Sequence, residues 1–333
     1  MPKIAQITDD YLRLVPRKKV IHRLVAYFLY EGRQLTTRGR WINPFVRFFL
    51  TSLAKRKWSE GVKHVVICGT GRSGTTILGM ILSVHPKIFF VNEPKLMWHA
   101  FNPLDDIHGN FGSGQGSLTE MTTGFNYDSI RNVISSIKFW DRRHTVFLDK
   151  YPELACKADL RFIKRIWIIR DPIEFIGSVK AWNSRHGTME ANWFGSGAKK
   201  LEPILEAGKR LNDPTITSLC QDVEEMSFDS QNVNSLGDIE MALALEWLVV
   251  NTYIRNSSHS SNTKIIEYNS LIQDLGENLE ELFDFLDLEK FDADYSSLVS
   301  NYKKRSYQVG LTAELSSHLN EKYESWIEDS TKH

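Results

Sequence analysis

One glycine-rich segment, residues 69–76 (GTGRSGTT), constrains the fold of this 333-residue chain more than any other feature. It follows the apolar run 65–68, which is typical of a buried strand, and it precedes residues 75–83, whose apolar spacing is helical. Glycines between a strand and a helix let backbone N–H groups turn inward, where the helix N-terminus adds positive potential. The segment therefore predicts a phosphate-binding loop.

Strand-like and helical patterns alternate along most of the remaining chain. Further apolar runs at 88–91, 144–148, 166–169 and 264–267 predict strands, and helices are predicted at 173–182, 238–256 and 278–288. This alternation predicts an α/β fold with a mainly parallel sheet flanked by helices. Two polar stretches, at about 101–117 and 184–237, are predicted to be irregular loops that contact a substrate.

The loop by itself matches more than one template. Gly69, Gly71 and Gly74 satisfy G-x-G-x-x-G, and Glu93 follows at the end of the next strand, where a dinucleotide fold places its ribose-binding acid. Gly69 and Gly74 also frame a P-loop, but Thr75 stands where a nucleoside-triphosphate site has lysine. A Rossmann-type NAD(P)-dependent oxidoreductase is therefore one interpretation of the loop.

A second motif favours a different ligand. Arg170-Asp171-Pro172 follows the fourth predicted strand, with Ser178 later on the next helix. Arginine at the carboxyl end of a buried strand lies where ligands bind in open α/β sheets, so Arg170 and Ser178 predict a second phosphate-binding point. An ion pair of Arg170 with Asp171 or Glu174 is the structural alternative.

The two motifs together resemble the signatures of sulfotransferases that use 3′-phosphoadenosine 5′-phosphosulfate (PAPS). Residues 264–271 (KIIEYNSL) and the helix after them are similar to the family's late strand, so the resemblance spans about residues 62–290. It implies a P-loop NTPase-like fold, PAPS as co-substrate and no metal. The 5′-phosphosulfate would be bound by Gly71, Arg72, Ser73, Gly74, Thr75 and Thr76, and the 3′-phosphate by Arg170 and Ser178.

The resemblance also implies catalytic roles. Arg72 would stabilise charge on the transferred sulfuryl group, and Glu93 would be the general base that accepts the acceptor's proton. His99 is the rival base, because other branches of the family use histidine. Lys150 would assist the leaving group, although its flanking residues (DKYP) depart from the family's Asn-Lys-Asp-Pro.

Three further residues have two interpretations each. Tyr268 is either a contact to adenine or phosphate, or an aromatic residue of the core. Lys304 and Arg305, in the run 303–305, either close over the 3′-phosphate or form a solvated surface, since the family's Arg-Lys-Gly pattern is absent.

Charge is distributed unevenly. The chain has 41 Lys+Arg and 41 Asp+Glu, and this zero net charge argues against a nucleic-acid binder. Residues 1–60 nevertheless hold 13 basic and 4 acidic residues among bulky apolar ones. We expect a basic amphipathic N-terminal extension at 1–60, followed by one sulfotransferase domain at 61–333. The extension either lies on an anionic membrane or docks a partner, or it forms two helices that cover the core.

Cysteine usage, the length of the apolar runs and a group of aromatic residues bear on the location of the protein and on its acceptor. Cys68, Cys156 and Cys220 lack metal-ligand spacing, and the apolar runs are too short for a membrane span, which favours a cytoplasmic enzyme with reduced thiols. Trp182, Trp193 and Phe194 lie in or beside a polar stretch and are suited to stacking on a sugar, a phenol or a lipid headgroup. We expect a small-molecule, glycan or glycolipid acceptor, and no pattern specifies an oligomeric state.

Overall fold

The computed structural model describes residues 43–54, 61–92, 127–140, 144–150, 163–186, 201–226, 236–257, 261–291, 293, 295 and 307–331. The strands are β1 (Lys63–Cys68), β2 (Ile88–Asn92), β3 (Val146–Lys150), β4 (Lys164–Ile169) and β5 (Thr263–Glu267). The helices are α1 (Asn43–Ala54), α2 (Thr75–Leu82), α3 (Tyr127–Trp140), α4 (Pro172–His186), α5 (Leu201–Lys209), α6 (Pro214–Glu225), α7 (Leu236–Ser257), α8 (Tyr268–Gln273), α9 (Leu275–Phe285) and α10 (Ala313–Thr331).

The described strands form one parallel sheet in the order β2-β3-β1-β4-β5. β1 (KHVVIC) and β4 (KRIWII) are continuous apolar runs after their first two residues, as expected for strands covered on both faces. The predicted α/β fold with a parallel sheet flanked by helices is therefore confirmed. Because β1 lies between β3 and β4, the loop after β1 opens at the centre of the sheet's carboxyl edge.

Alternate residues of β4 pack into opposite halves of the core, one on each face of the sheet. Trp167 and Ile169 pack among α4, α5, α6, α7 and α10, whereas Ile166 and Ile168 pack among α2, α8 and α9. This alternation follows from the two-residue period of a strand. Helices consequently cover both faces of the sheet and leave its carboxyl edge for the loops.

The prediction of an irregular region at 184–237 is wrong in part. α4 extends to His186, and α5 and α6 lie within the region. Their apolar positions, including Leu201, Ile204, Ile216 and Leu219, are buried against α7. The sequence did contain a signal for the start of α6, because Asp213 is a residue type that caps helix N-termini. The Asp213 carboxylate accepts hydrogen bonds from the Thr215 and Ile216 N–H groups at 3.0 and 3.1 Å. Helix α10 was also not predicted.

Helix α1 is the described part of the N-terminal sixty residues. Its Leu50 and Leu53 are buried, and the Ser136 hydroxyl of α3 donates to the Leu53 carbonyl at 3.4 Å. Phe48 and Phe49 are 74 % and 52 % exposed. One side of α1 thus packs on the domain while two large aromatic rings face solvent. The other residues of 1–60 lie outside the described residues, and the domain boundary at 60 stays a prediction.

A small ion cluster lies at the amino edge of the sheet, opposite the glycine loop. Lys63 and Lys164 donate to the Asp287 carboxylate at 2.7 and 2.9 Å. The hydrogen bond from Lys63, then that from Lys164, lowers the pKa of Asp287 from 3.8 to about 2. The cluster ties the starts of β1 and β4 to the end of α9.

Among the described helices, none is long and apolar enough to cross a membrane.

Candidate active site

The glycine loop begins with a tight turn. The Ser73 N–H donates to the Thr70 carbonyl at 3.2 Å, and the two hydroxyl side chains, both buried, share a hydrogen bond. Arg72 is the third residue of this turn and has φ +67°, a left-handed conformation that glycine usually fills. The turn leaves Arg72 exposed at the carboxyl edge of the sheet.

Two glycines let the loop approach its neighbours. Gly69 has φ +143°, and a Cβ there would lie 2.3 Å from the Ile168 carbonyl oxygen. Gly74 has φ +94°, and a Cβ there would lie 2.5 Å from Tyr268 Cδ2. Both distances are far shorter than a van der Waals contact, so the loop packs on β4 and on Tyr268 only because these residues lack side chains.

The loop ends at the N-terminus of α2. Gly74 is the N-cap and has no side chain with which to cap, and the first helical hydrogen bond runs from the Leu78 N–H to the Gly74 carbonyl at 3.0 Å. The N–H groups of Thr75, Thr76 and Ile77 therefore have no acceptor within the helix. Together with the helix dipole they suit an anionic group such as a phosphate.

Arg170 joins the second motif to this loop. Its Nη1 donates to the Arg72 carbonyl at 3.0 Å, and its Nε donates to Glu174 Oε2 at 3.2 Å. The guanidinium lies over the Tyr268 ring, 4.4 Å from its centre, and only 7 % of Arg170 is exposed. The ion pair with Glu174 that the sequence offered as an alternative is present, and it coexists with the contact to the loop.

Two of the remaining predicted site residues, Lys150 and Ser178, lie within the described part of the chain. Lys150, the last residue of β3, is buried and lies beside Ile67 of β1 and Asn92 of β2 in the strand register. Ser178 is buried on α4, two turns after the helix begins. Glu93 directly follows Asn92, but Glu93, His99, Cys156, Trp193, Phe194, Lys304 and Arg305 lie outside the described residues. Their predicted roles stay predictions.

The family model of the sulfotransferase domain matches residues 62–331, which is most of the chain. The chain belongs to the sulfotransferase family. Two curated relatives, the carbohydrate sulfotransferases 7 of Rattus norvegicus and Mus musculus, are 33 % identical over 70 residues and 36 % identical over 59. These matches cover 21 % and 18 % of this chain and only 14 % and 11 % of the relatives.

Solved sulfotransferase structures align with a larger share of this chain than the two curated relatives do. The enzyme from Alicyclobacillus acidocaldarius covers 79 % of this chain and 92 % of its own length, at 14 % identity and a TM-score of 0.42. Sulfotransferase STF9 from Mycobacterium avium covers 80 % of this chain and 76 % of its own, at 12 % identity and a TM-score of 0.42. The family assignment by sequence decides against the oxidoreductase interpretation of the loop.

Three residues that shape this site were not predicted from the sequence. Trp247 of α7 donates its indole N–H to the Arg170 carbonyl at 2.9 Å, and the Asn269 amide donates to Glu174 Oε1 at 3.5 Å. Thr70 closes the turn around Arg72. The Thr70–Ser73 spacing was a usable signal for a turn, whereas nothing local to Trp247 or Asn269 points to Arg170.

No three His, Cys, Asp or Glu side chains cluster as metal ligands within the part of the chain that the structure describes. The absence of a metal from the reaction stays a prediction.

Proposed function

We propose that this sulfotransferase transfers a sulfuryl group from PAPS to a hydroxyl or amine of its acceptor. The observation that carries the proposal is the 3.0 Å hydrogen bond from Arg170 Nη1 to the Arg72 carbonyl. It places a buried guanidinium next to a loop that ends in an uncapped helix N-terminus. A nucleotide with anionic groups at both its 5′ and 3′ positions matches two such adjacent anion sites.

The proposed reaction is an in-line displacement at sulfur. A bond forms between the acceptor oxygen or nitrogen and sulfur, while the bond between sulfur and the bridging phosphate oxygen breaks and adenosine 3′,5′-bisphosphate leaves. The acceptor's proton passes to Glu93. Arg72 balances charge on the sulfuryl oxygens and Lys150 balances it on the leaving phosphate, so most of the catalysis is positioning and charge stabilisation.

A basic contribution from Lys304 and Arg305 to 3′-phosphate binding is part of the proposal. Tyr307, two residues after Arg305, lies against α4, since a Cβ on Gly177 would be 2.1 Å from Tyr307 Cγ. Ser178 is the next residue of α4. The chain therefore passes close to the Arg170–Ser178 region immediately after its basic run, which supports this role.

A carbohydrate or glycolipid is the acceptor class that we propose. The support is the local similarity to two carbohydrate sulfotransferases over 70 and 59 residues. Incubation of the full chain with radiolabelled PAPS and a panel of glycans, glycolipids, phenols and amines tests it. Label transfer to a phenol or an amine but to no saccharide would contradict the acceptor class while leaving the reaction intact.

The donor is tested by binding before any acceptor is known. Adenosine 3′,5′-bisphosphate at one hundred times its Kd stabilises a one-site protein by about 2.7 kcal/mol, so Tm should rise by several degrees, and NAD(P) should leave Tm unchanged. Arg72→Ala should abolish turnover at saturating donor, and Arg170→Ala should weaken binding of the bisphosphate. No shift with millimolar bisphosphate, or equal mild effects of both variants, would contradict the proposal.

We further propose that the enzyme works in the cytoplasm and contacts an anionic membrane surface through its N-terminal region. Cys68 and Cys220 are free, buried thiols, consistent with a reducing compartment. The basic excess of residues 1–60 and the exposed rings of Phe48 and Phe49 support membrane contact, because basic charge attracts anionic headgroups and aromatic rings insert at the interface.

A further inference from the structure

We propose that Arg170 is also a positioning residue for the loop that holds Arg72, and that it couples the 3′-phosphate site to the site of sulfuryl transfer. This inference rests on the proposed function, in which Arg170 binds the 3′-phosphate. It adds that Arg170 acts on the 5′ end of the donor even when no 3′-phosphate is present.

The Arg170 guanidinium is fixed on three sides by described residues. Glu174 accepts from Nε at 3.2 Å, Arg170 Cζ lies over the Tyr268 ring at 4.4 Å from its centre, and the Arg72 carbonyl accepts from Nη1 at 3.0 Å. Glu174 is itself held by the Asn269 amide, at 3.5 Å. A buried, planar fork with this many contacts has one orientation, so its hydrogen bond to Arg72 has a defined direction.

The acceptor of that hydrogen bond is a strained residue. Arg72 has φ +67°, and a left-handed conformation is unfavourable for a residue with a Cβ. The hydrogen bond from the Ser73 N–H to the Thr70 carbonyl closes the turn that contains Arg72. The charged hydrogen bond from Arg170 fixes the orientation of the Arg72 carbonyl. Without Arg170, we expect Arg72 to leave this conformation, which moves its side chain away from the sulfuryl group.

The coupling has a thermodynamic consequence. A 3′-phosphate that binds the guanidinium favours the orientation in which Arg170 also holds Arg72, and linkage makes the effect reciprocal. Binding energy at the remote 3′ end then contributes to the transition state at sulfur, which raises kcat as well as affinity. A residue that only bound the 3′-phosphate would affect donor affinity alone.

Donors that lack the 3′-phosphate separate the two roles. Calorimetry on the full chain measures Kd for adenosine 5′-phosphate and for adenosine 3′,5′-bisphosphate, and steady-state assays measure kcat and KM with adenosine 5′-phosphosulfate. For Arg170→Ala we expect a tenfold or greater loss of adenosine 5′-phosphate affinity and of kcat at saturating adenosine 5′-phosphosulfate. Arg170→Lys keeps a cation but not the planar fork, so it should recover part of the bisphosphate affinity and little of this kcat.

Arg165→Ala is the matched control. Arg165 is a buried arginine at the amino end of the same strand β4, where its Nη1 donates to the Ser257 hydroxyl at 2.8 Å. Any loss that comes only from removing a buried arginine should appear in this variant too. Urea unfolding of all variants shows whether each is folded under the assay conditions. If Arg170→Ala is not folded, Arg170→Lys takes its place in the comparison.

The outcomes are distinct for the two levels of the proposal. If the wild type binds neither nucleotide, the proposed function fails. If the wild type binds both, and Arg170→Ala and Arg170→Lys leave adenosine 5′-phosphate affinity and the kcat with adenosine 5′-phosphosulfate unchanged, the donor assignment survives and the coupling is overturned. Losses of the same size in Arg165→Ala also overturn it.

Discussion

Gly74→Ala is the substitution whose cost the structure defines best. The new methyl group would meet Tyr268 at 2.5 and 2.7 Å from two ring carbons and the Ile168 Cδ1 at 3.2 Å. A shift of the ring would disturb the Arg170 guanidinium, which lies over it, 4.4 Å from the ring centre. The variant also forces a residue with a Cβ to adopt φ +94°. Both effects act at the N-cap of α2.

The two effects have separate magnitudes. The left-handed conformation costs an L-residue about 1–2 kcal/mol. Overpacking by one methyl group in a rigid environment costs about 1–3 kcal/mol more. We therefore expect Gly74→Ala to lower the free energy of unfolding by about 2–5 kcal/mol, and to weaken bisphosphate binding because the loop and the Arg170 stack are both displaced.

A double-mutant cycle separates clash from strain. Urea unfolding is measured for the wild type, Gly74→Ala, Tyr268→Ala and the double variant. Removing the ring abolishes the clash but not the strained φ, so the double variant should be more stable than additivity predicts by about 1–3 kcal/mol.

The control is another glycine. A Cβ on Gly276, in the first turn of α9, would meet nothing within 4 Å. Gly276→Ala should be neutral or stabilising by up to about 1 kcal/mol. A loss below about 1 kcal/mol for Gly74→Ala, or an additive cycle, would show that the left-handed conformation and the Tyr268 contact do not set the cost.

Three further predictions concern surfaces and thiols. Asp287→Asn should cost less than about 1 kcal/mol at pH 7, because its ion pairs are exposed. The lowered pKa of Asp287 means that this difference is full above pH 3.8 and shrinks as the pH falls towards about 2, and a pH-independent difference in urea unfolding would contradict it. The double variant Phe48→Ser, Phe49→Ser should sediment less with phosphatidylglycerol vesicles than the wild type does, with Tm unchanged. Equal sedimentation of variant and wild type, or equal binding of the wild type to phosphatidylcholine and phosphatidylglycerol vesicles, argues against contact with an anionic membrane. Burial raises the pKa of Cys68 to about 12 and that of Cys220 to about 11. Neither thiol should therefore react with a disulfide reagent at pH 8 until urea unfolds the protein. If peptide mapping assigned a fast-reacting thiol of the native protein to either cysteine, this prediction would be wrong.

Local patterns in the sequence were enough for the sheet and for the two motifs. Continuous apolar runs such as that of β4 are unambiguous when glycines or polar residues bound them, and all five predicted strands are present. The prediction of irregular structure at 184–237 is wrong for α5 and α6 because their helically spaced apolar positions were outweighed by the polar composition of the stretch as a whole. The Asp213 cap before α6 was the more reliable local signal.

Local sequence patterns specify the class of site: a glycine loop before a helix, an arginine after a strand and, through their combination, the sulfotransferase family. The contacts between these parts arise only when the chain is folded. Arg170 lies 98 residues from the Arg72 carbonyl that it contacts. The Tyr268 ring fills the space left by Gly74, although a large part of the domain separates the two in the chain. These contacts depend on the placement of β4 beside β1 and of β5 beside β4, and that strand order is set by packing of the whole sheet and its helices rather than by any local pattern.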